Sequence, residues 1–182
     1  MSTRPIDQLC QDLCDEFQRD PAGPCAAKIL ETYAREHDDW RDFAFYSDER
    51  YTRNLIHADE TFELMVVCWG PGQESPIHNH AGSNCWMGVL DGTVEELHYD
   101  LPEEEGGLSP KRSAVVSQGK VAFIRDEIAL HLVREAGGGR AASLHLYSSP
   151  IPECQIYCPE TGRVEDRVMA FHSIKGELVA SA

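Results

Sequence analysis

The first forty residues carry apolar side chains at spacings of three and four, which places them along one side of an α-helix. Pro21 interrupts this pattern, and proline is incompatible with the interior of a helix. We therefore predict two short amphipathic helices before about residue 40. Their apolar residues are Ile6, Leu9, Leu13 and Phe17, followed by Ala26, Ile29, Leu30 and Tyr33.

After about residue 50 the pattern changes to short runs of Val, Ile, Tyr, Phe and Leu between Gly, Pro and acidic residues, which is typical of successive β-strands. Asp91-Gly92 lies between two apolar runs and predicts a hairpin, whereas residues 102–110 read as a solvated loop. Many strands without long helices between them predict an all-β fold, a small antiparallel β-barrel of the jelly-roll type with short N-terminal α-helices. We predict strands near residues 50–56, 61–69, 85–91, 93–100, 113–117, 120–125, 130–134, 141–148, 154–158 and 166–172.

The length of 182 residues, with 42% hydrophobic residues, fits one domain over residues 1–182. We expect residues 1–40 to form a helical segment packed on a barrel of residues 45–175. A formal net charge of −15 repels nucleic acid and anionic lipid surfaces. No stretch approaches the roughly 20 apolar residues that span a membrane. Seven cysteines, an odd number without regular spacing, suggest reduced thiols. We expect a cytoplasmic monomer that binds neither nucleic acid nor membranes.

Two histidines lie two positions apart in an extended segment, so that both imidazoles project from the same side of the chain. They are His78 and His80, and the wider pattern from Gly72 to Gly92 is Gly-x5-His-x-His-x4-Cys-x6-Gly, with Cys85 as the cysteine. This spacing resembles the first metal-binding motif of the cupin superfamily. Cupins usually carry a glutamate ligand at the position of Cys85.

The resemblance to cupins implies a further histidine ligand on a later strand, and His131 fits this position. The second cupin motif is otherwise degenerate, with Arg125 in place of the usual proline and Glu135 where asparagine is common. Three neutral imidazoles leave the charge of a divalent ion uncompensated and several coordination positions open. Such a site suits Fe(II) oxygenase chemistry, but three histidines also describe catalytic zinc. The ligands alone leave both possibilities open.

Three polar side chains alternate with leucines near residue 145 and therefore lie on one side of a strand. They are Ser143, His145 and Tyr147. This pattern indicates either a site or a half-exposed strand.

Several dispersed motifs together resemble the cysteine dioxygenase family, over roughly residues 40–175. The motifs that carry the resemblance are Tyr51-Thr52-Arg53-Asn54-Leu55, Cys68-Trp69-Gly70, His78-Asn79-His80, Cys85, His131, Ser143-Leu144-His145-Leu146-Tyr147-Ser148, Cys154, Thr161-Gly162 and Met169-Ala170-Phe171-His172-Ser173.

This resemblance implies a non-haem Fe(II) enzyme that inserts both atoms of O2 into the thiol of L-cysteine, giving cysteine sulfinic acid. In such an enzyme the three histidines would bind iron, and the substrate would chelate it through thiolate and amine. Arg53 would bind the substrate carboxylate, which suits the planar, two-pronged guanidinium. Tyr51, on the same side of its strand, would assist Arg53.

In animal-type members of the family the residues corresponding to Cys85 and Tyr147 become joined by a thioether next to the iron. This chain has both residues, whereas many bacterial relatives have glycine at the cysteine position. The resemblance further implies that His145 holds the hydroxyl of Tyr147, with Ser143 behind it, and that Trp69 forms a wall of the pocket. One departure is Ser148-Ser149-Pro150, where the family typically has Ser-Pro-Pro with a cis bond before the first proline.

Other functions stay open at this stage. They are a dioxygenase for another small thiol such as 3-mercaptopropionate, a zinc-dependent cupin hydrolase or isomerase, and a non-catalytic metal-binding cupin. We interpret Cys10, Cys14, Cys154 and Cys158 as free thiols, and His37, His57 and His98 as surface histidines.

Overall fold

The structure, a computed structural model, describes residues 3–100 and 107–180. Most of the predicted loop at 102–110 therefore lies outside the described residues. Two α-helices open the fold, α1 (Pro5–Arg19) and α2 (Ala26–Glu36), followed by a short 3-10 helix over Asp39–Phe43. The two predicted N-terminal helices are confirmed. Neither of them, nor any other helix in the described ranges, is long and apolar enough to cross a membrane.

The described part of the chain after the helices consists mainly of short β-strands. Their bounds are β1 (Thr52–Ala58), β2 (Glu63–Trp69), β3 (Ile77–His78), β4 (Asn84–Asp91), β5 (Thr93–Tyr99), β6 (Arg112–Ser117), β7 (Val121–Ile124), β8 (Leu130–Glu135), β9 (Ala141–Ser148), β10 (Glu153–Tyr157), β11 (Val164–Val168), β12 (Ser173–Ile174) and β13 (Glu177–Leu178).

The strands form two sheets. The seven-stranded sheet has the order β13-β12-β1-β2-β9-β4-β7, and the six-stranded sheet has the order β11-β10-β3-β8-β5-β6. All neighbours pair antiparallel except β1 and β12, which are parallel.

The β-rich architecture is confirmed, but the described strands pair as two open sheets and do not form one closed ring of hydrogen bonds. The sequence missed β3, β12 and β13, each only two residues long. The strand predicted at 166–172 corresponds to β11, which begins at Val164 and ends at Val168. Residues 169–172 are not part of a strand. The division into a helical segment and a barrel within one domain stays a prediction.

Alternation along the central strands determines what each side of the seven-stranded sheet contacts. Leu64 and Val66 of β2 belong to a core that includes the apolar sides of both helices. Met65 and Val67, one position along, belong to a second core that includes Val94 and Val133 of the other sheet. The helices thus cover the outer side of the seven-stranded sheet, while its inner side faces the other sheet.

The predicted hairpin at Asp91-Gly92 joins β4 to β5. Gly92 has φ +70°, and a Cβ atom there would lie 2.7 Å from the carbonyl oxygen of Arg140. Both the left-handed backbone and the close approach require glycine.

Candidate active site

Three histidines meet on the six-stranded sheet, at its inner side. His78 in β3 lies opposite His131 in β8, and His80 follows two positions after His78. One ring nitrogen of each histidine lies within 4.8 Å of the corresponding nitrogens of the other two. The Nε2 atoms of His78 and His131 are 3.1 Å apart. The alternation read from the sequence thus brings the two local histidines together with the distant one.

Oxygen atoms lie behind all three rings. The Nδ1 of His78 is 2.9 Å from the carbonyl oxygen of Pro76, and the Nδ1 of His131 is 2.8 Å from Oε1 of Glu96. The Nδ1 of His80 is 3.4 Å from Oδ1 of Asp126. A proton on Nδ1 of His78 and His131 can be donated to these oxygens, which leaves each Nε2 with its lone pair free for an ion.

Asp126 also fixes the backbone around His80. Its Oδ1 accepts a hydrogen bond from the backbone N–H of His80 at 2.6 Å, and its Oδ2 accepts one from that of Gly82 at 2.8 Å. Neither Glu96 nor Asp126 was identified from the sequence. His98 was predicted at the surface, and this was wrong: it is buried in β5, with Nε2 3.2 Å from Oε2 of Glu96.

His78 and His131 are electrically neutral at ordinary pH. Burial, aided by the neighbouring His80, lowers the pKa of His78 to about 3. Burial and the adjacent histidines also lower the pKa of His131 well below its ordinary value. Neutral imidazole is the form that binds metal ions.

The residues present fit a divalent transition metal. The Nε2 of His80 is buried and has no hydrogen-bond partner among the described residues. Two imidazoles in neighbouring positions on an octahedral ion, at metal–nitrogen distances of roughly 2.1 Å, have nitrogens about 3 Å apart. The separation of 3.1 Å between His78 and His131 matches this value.

The seven-stranded sheet supplies the opposite side of the site. Cys85 in β4 lies directly opposite Tyr147 in β9, and their side chains are within hydrogen-bonding reach. Burial, together with the charge of Glu96, raises the pKa of the Cys85 thiol well above its ordinary value. Burial also raises the pKa of Tyr147. Both groups are therefore protonated at neutral pH.

A chain of hydrogen bonds runs from Tyr147 into the core. The hydroxyl of Tyr147 is 3.1 Å from Nδ1 of His145, and Nε2 of His145 is 3.1 Å from Oγ of Ser143. Trp69 completes the chain by donating its indole N–H to Ser143 Oγ at 3.0 Å. Burial and the positive charge of Arg53 lower the pKa of His145 to about 3, so that its ring is neutral.

Arg53 of β1 is buried, with 7% of its surface exposed. Its Nη2 is 3.4 Å from Oε1 of Glu63, and its Nε is 3.3 Å from the sulfur of Met65. Its Nη1 is buried and has no hydrogen-bond partner in the described part of the chain. Burial raises the pKa of Glu63, and the charge of Arg53 opposes this shift. Glu63 was not identified from the sequence.

A narrow cleft with room for about 30 Å³ joins several of these groups. Arg53, His78, His145 and Tyr147 line it, together with Tyr51, whose ring stacks on Trp69 at 4.9 Å between centroids. Further lining residues are Trp69, Cys154, Arg167 and Met169. No sequence pattern singled out Arg167. The peptide bond between Ser148 and Ser149, at the end of the strand that carries Tyr147, is cis.

Comparisons with solved structures support the fold. A protein with a double-stranded β-helix domain from Klebsiella pneumoniae aligns with a TM-score of 0.52 at 14% identity, over 73% of this chain and 90% of its own. A protein from Thermus thermophilus aligns with a TM-score of 0.50 at 23% identity, over 63% of this chain and 97% of its own. The chain therefore has the double-stranded β-helix fold, here with a cluster of three histidines between its two sheets.

The sequence comparisons are more specific. The profile of the family described as cysteine dioxygenase type I matches residues 1–159. Cysteine dioxygenase type 1 of Danio rerio is 34% identical over 182 residues, which cover 97% of this chain and 90% of that protein. The corresponding proteins of Rattus norvegicus and Homo sapiens are each 36% identical over 148 residues, covering 80% of this chain and 74% of theirs. The chain belongs to the cysteine dioxygenase type I family.

Proposed function

We propose that this protein oxidises the thiol of L-cysteine with O2 to cysteine sulfinic acid, at an iron(II) ion held by His78, His80 and His131. Both oxygen atoms of O2 enter the product, so that no other reductant is consumed. The observation that carries the proposal is a pairing within one cleft. His78, one of three clustered imidazoles able to bind a cation, lines the cleft from one sheet. Arg53, whose buried Nη1 has no hydrogen-bond partner among the described residues, lines it from the other.

The histidines would hold the iron, with Glu96 and the carbonyl of Pro76 fixing the rings of His131 and His78. Bound there, iron(II) would supply open coordination positions for a thiolate and O2 and the ability to exchange single electrons with them. Cys85 stands where cupins usually have a glutamate ligand. Without that carboxylate, the positive charge of the ion would stay available to attract these anionic guests.

Arg53 would bind the carboxylate of the substrate. A buried guanidinium N–H group without a partner costs free energy, and a carboxylate would remove that cost through a charge-assisted hydrogen bond. Glu63, beside Nη2, would hold the side chain in place from the other side. A carboxylate site of this kind fits a small thiol-containing amino acid or another short carboxylic acid with a thiol.

Tyr147 would donate a hydrogen bond to the reacting groups. Trp69 donates to Ser143, so the hydroxyl proton of Ser143 can go to Nε2 of His145. The remaining proton of His145 then sits on Nδ1 and is donated to the oxygen of Tyr147. In this arrangement the phenolic proton of Tyr147 stays available for a guest in the cleft.

We also propose that Cys85 and Tyr147 become joined by a thioether. A bond would form between Sγ of Cys85 and the ring carbon next to the hydroxyl of Tyr147, with loss of one hydrogen from each residue. The two electrons and two protons released would go to O2, giving hydrogen peroxide. The register of β4 and β9, which places the two residues opposite each other, supports this proposal.

The test is anaerobic loading of the protein with Fe(II), followed by addition of L-cysteine and 18O2. Mass spectrometry should show a sulfinate that carries two heavy oxygen atoms. 3-Mercaptopropionate and cysteamine, in parallel, separate the contribution of the amine from that of the carboxylate. After many turnovers the intact protein should be two hydrogens lighter, with a linked peptide containing Cys85 and Tyr147.

Zinc-loaded protein serves as the control and should consume no O2 with any of the three thiols. Faster turnover of 3-mercaptopropionate than of L-cysteine would reassign the substrate. Absence of a sulfinate from every thiol would overturn the dioxygenase activity. An unmodified Cys85 and Tyr147 after many turnovers would overturn the thioether alone.

A further inference from the structure

A second group of metal-binding side chains lies on the outer side of the seven-stranded sheet. Cys14 comes from α1, His57 from the end of β1, and Asp59 from the turn that follows. Their ligand atoms all lie within 4.8 Å of one another. No sequence motif indicates this group, because the cysteine and the histidine are 43 positions apart (57 − 14) in the chain.

Two of the three side chains are held in place without an ion. Oδ1 of Asp59 accepts hydrogen bonds from the backbone N–H groups of Thr61 and Phe62, at 2.7 Å and 3.0 Å. Its other oxygen, Oδ2, is 3.0 Å from Nε2 of His57. The ring of His57 stacks on Phe62, which is fully buried, with 4.7 Å between centroids. Binding an ion would therefore restrict few additional side-chain rotations, which keeps the entropy cost of binding small.

The chemistry of this group is that of a zinc site. A thiolate, an imidazole and a carboxylate are the three ligand types that Zn²⁺ takes in proteins. Their donor atoms lie roughly 3.5 Å apart around a tetrahedral ion, and in this structure all three separations are within 4.8 Å. Among the ion pairs of the described residues, Asp59 is paired only with His57. No lysine or arginine of the described residues pairs with this carboxylate, and an ion would take the place of the proton between Asp59 and His57, leaving the proton of His57 on its other ring nitrogen.

We propose that Cys14, His57 and Asp59 form a second metal site that binds Zn²⁺, with a water molecule in the fourth position. All three residues are at least partly accessible to solvent, so an ion can reach them without opening the core. Binding releases the proton of the Cys14 thiol. The ion would tie α1 to the connection between β1 and β2. This site shares no residue with the three-histidine cluster and does not depend on the proposed dioxygenase function.

Cobalt(II) titration of the iron-loaded protein under anaerobic conditions tests the site, because a thiolate bound to Co²⁺ gives an intense near-ultraviolet absorption band. We expect this band to saturate at one equivalent and to be displaced by Zn²⁺. Cys14→Ser should abolish the band. Cys10→Ser is the matched control, since Cys10 lies one turn earlier in α1 and outside the cluster, and it should keep the band.

A second measurement tests whether the ion links α1 to the connection between β1 and β2. Zn²⁺ should raise the midpoint of thermal unfolding of the wild type and of Cys10→Ser, but not of Cys14→Ser or His57→Gln. Iron content close to that of the wild type shows that these variants are folded. Absence of the cobalt band in the wild type would overturn the proposal. An equal band in Cys14→Ser would also overturn it, since another thiol would then be the ligand.

Discussion

The two sheets that enclose the cleft prepare their side chains for opposite kinds of guest. The histidine side, formed by His78, His80 and His131, places oxygen atoms behind the rings and leaves nitrogen lone pairs facing a common point. The arginine side, formed by Arg53, His145 and Tyr147, links its groups to buried partners and leaves N–H and O–H donors.

The difference is one of polarity. The histidine side offers electron pairs and suits a cation, while the arginine side offers protons and suits anions. A molecule such as cysteine, with a thiol at one end and a carboxylate at the other, can contact both sides at once. Substitutions on the histidine side should therefore change metal content, and those on the arginine side should change catalysis with the metal retained.

The largest effect is expected from His131→Ala. Two protein ligands would remain, and His131 is also the ring that Glu96 orients. Iron affinity should fall by more than about 100-fold, beyond the loss typical for partners behind a ligand, and turnover should disappear with it. Metal analysis of the purified protein measures the loss. His37→Ala, at an exposed histidine directly after α2 and outside the cluster, should keep its iron. Normal iron content in His131→Ala would remove this residue from the site.

Arg53→Lys should lower kcat/KM for L-cysteine by roughly 30-fold or more, while the iron content stays unchanged. Lysine keeps the charge but cannot reach a carboxylate with two parallel hydrogen bonds. Any turnover of cysteamine, which has no carboxylate, should change much less. Arg167→Lys is the control, because Arg167 lines the same cleft but is exposed. Equal losses for both thiols would mean that Arg53 has a structural role only.

Glu96→Gln should weaken iron binding by about 10- to 100-fold, because the amide holds the ring of His131 less firmly than the carboxylate does. Competition with a chelator measures this affinity. Glu95→Gln alters the neighbouring residue, which instead pairs with Arg134 on the other side of the strand, and should leave iron binding unchanged. If Glu96→Gln binds iron as the wild type does, the orientation of His131 does not depend on this carboxylate.

The smallest effect is expected from Trp69→Phe, which removes one hydrogen bond to Ser143 at the far end of the chain leading to Tyr147. A loss of about 1 kcal/mol corresponds to a fall in kcat of about fivefold, with KM for L-cysteine and iron content nearly unchanged. Trp86→Phe, on the outer side of the same sheet, should alter stability and not kcat. A larger effect on iron content than on kcat would contradict the separation of the two sides.

Local patterns predicted much of the fold and part of each side of the site. Alternation alone placed His78 with His80 and Ser143 with Tyr147, because residues two apart in a strand project together. The resemblance to a family then added His131, Arg53 and Cys85. The two-residue strands β3, β12 and β13 escaped prediction, since a strand of that length has no alternation to read.

The residues that the sequence missed depend on pairing between distant strands. Glu96 stands next to a leucine in an acidic stretch and looks solvent-exposed, yet the pairing of β5 with β8 brings it against His131. Glu63 reaches Arg53 through the pairing of β1 with β2. His98 looked exposed for the same reason and is buried. Nothing in a single stretch of sequence indicates the register that makes these contacts.

The parallel pairing of β12 with β1 bears on the order in which the molecule acquires its structure. The backbone N–H of His172 donates to the carbonyl oxygen of Arg53 at 2.7 Å, and Ser173 donates its hydroxyl to Asn54 at 2.8 Å across 119 residues of chain. The strand that carries Arg53 and the strand that pairs with it are therefore far apart in the sequence. Contacts so distant in sequence form slowly, so we expect this pairing to form later than the contact between His78 and His131, which are 53 positions apart.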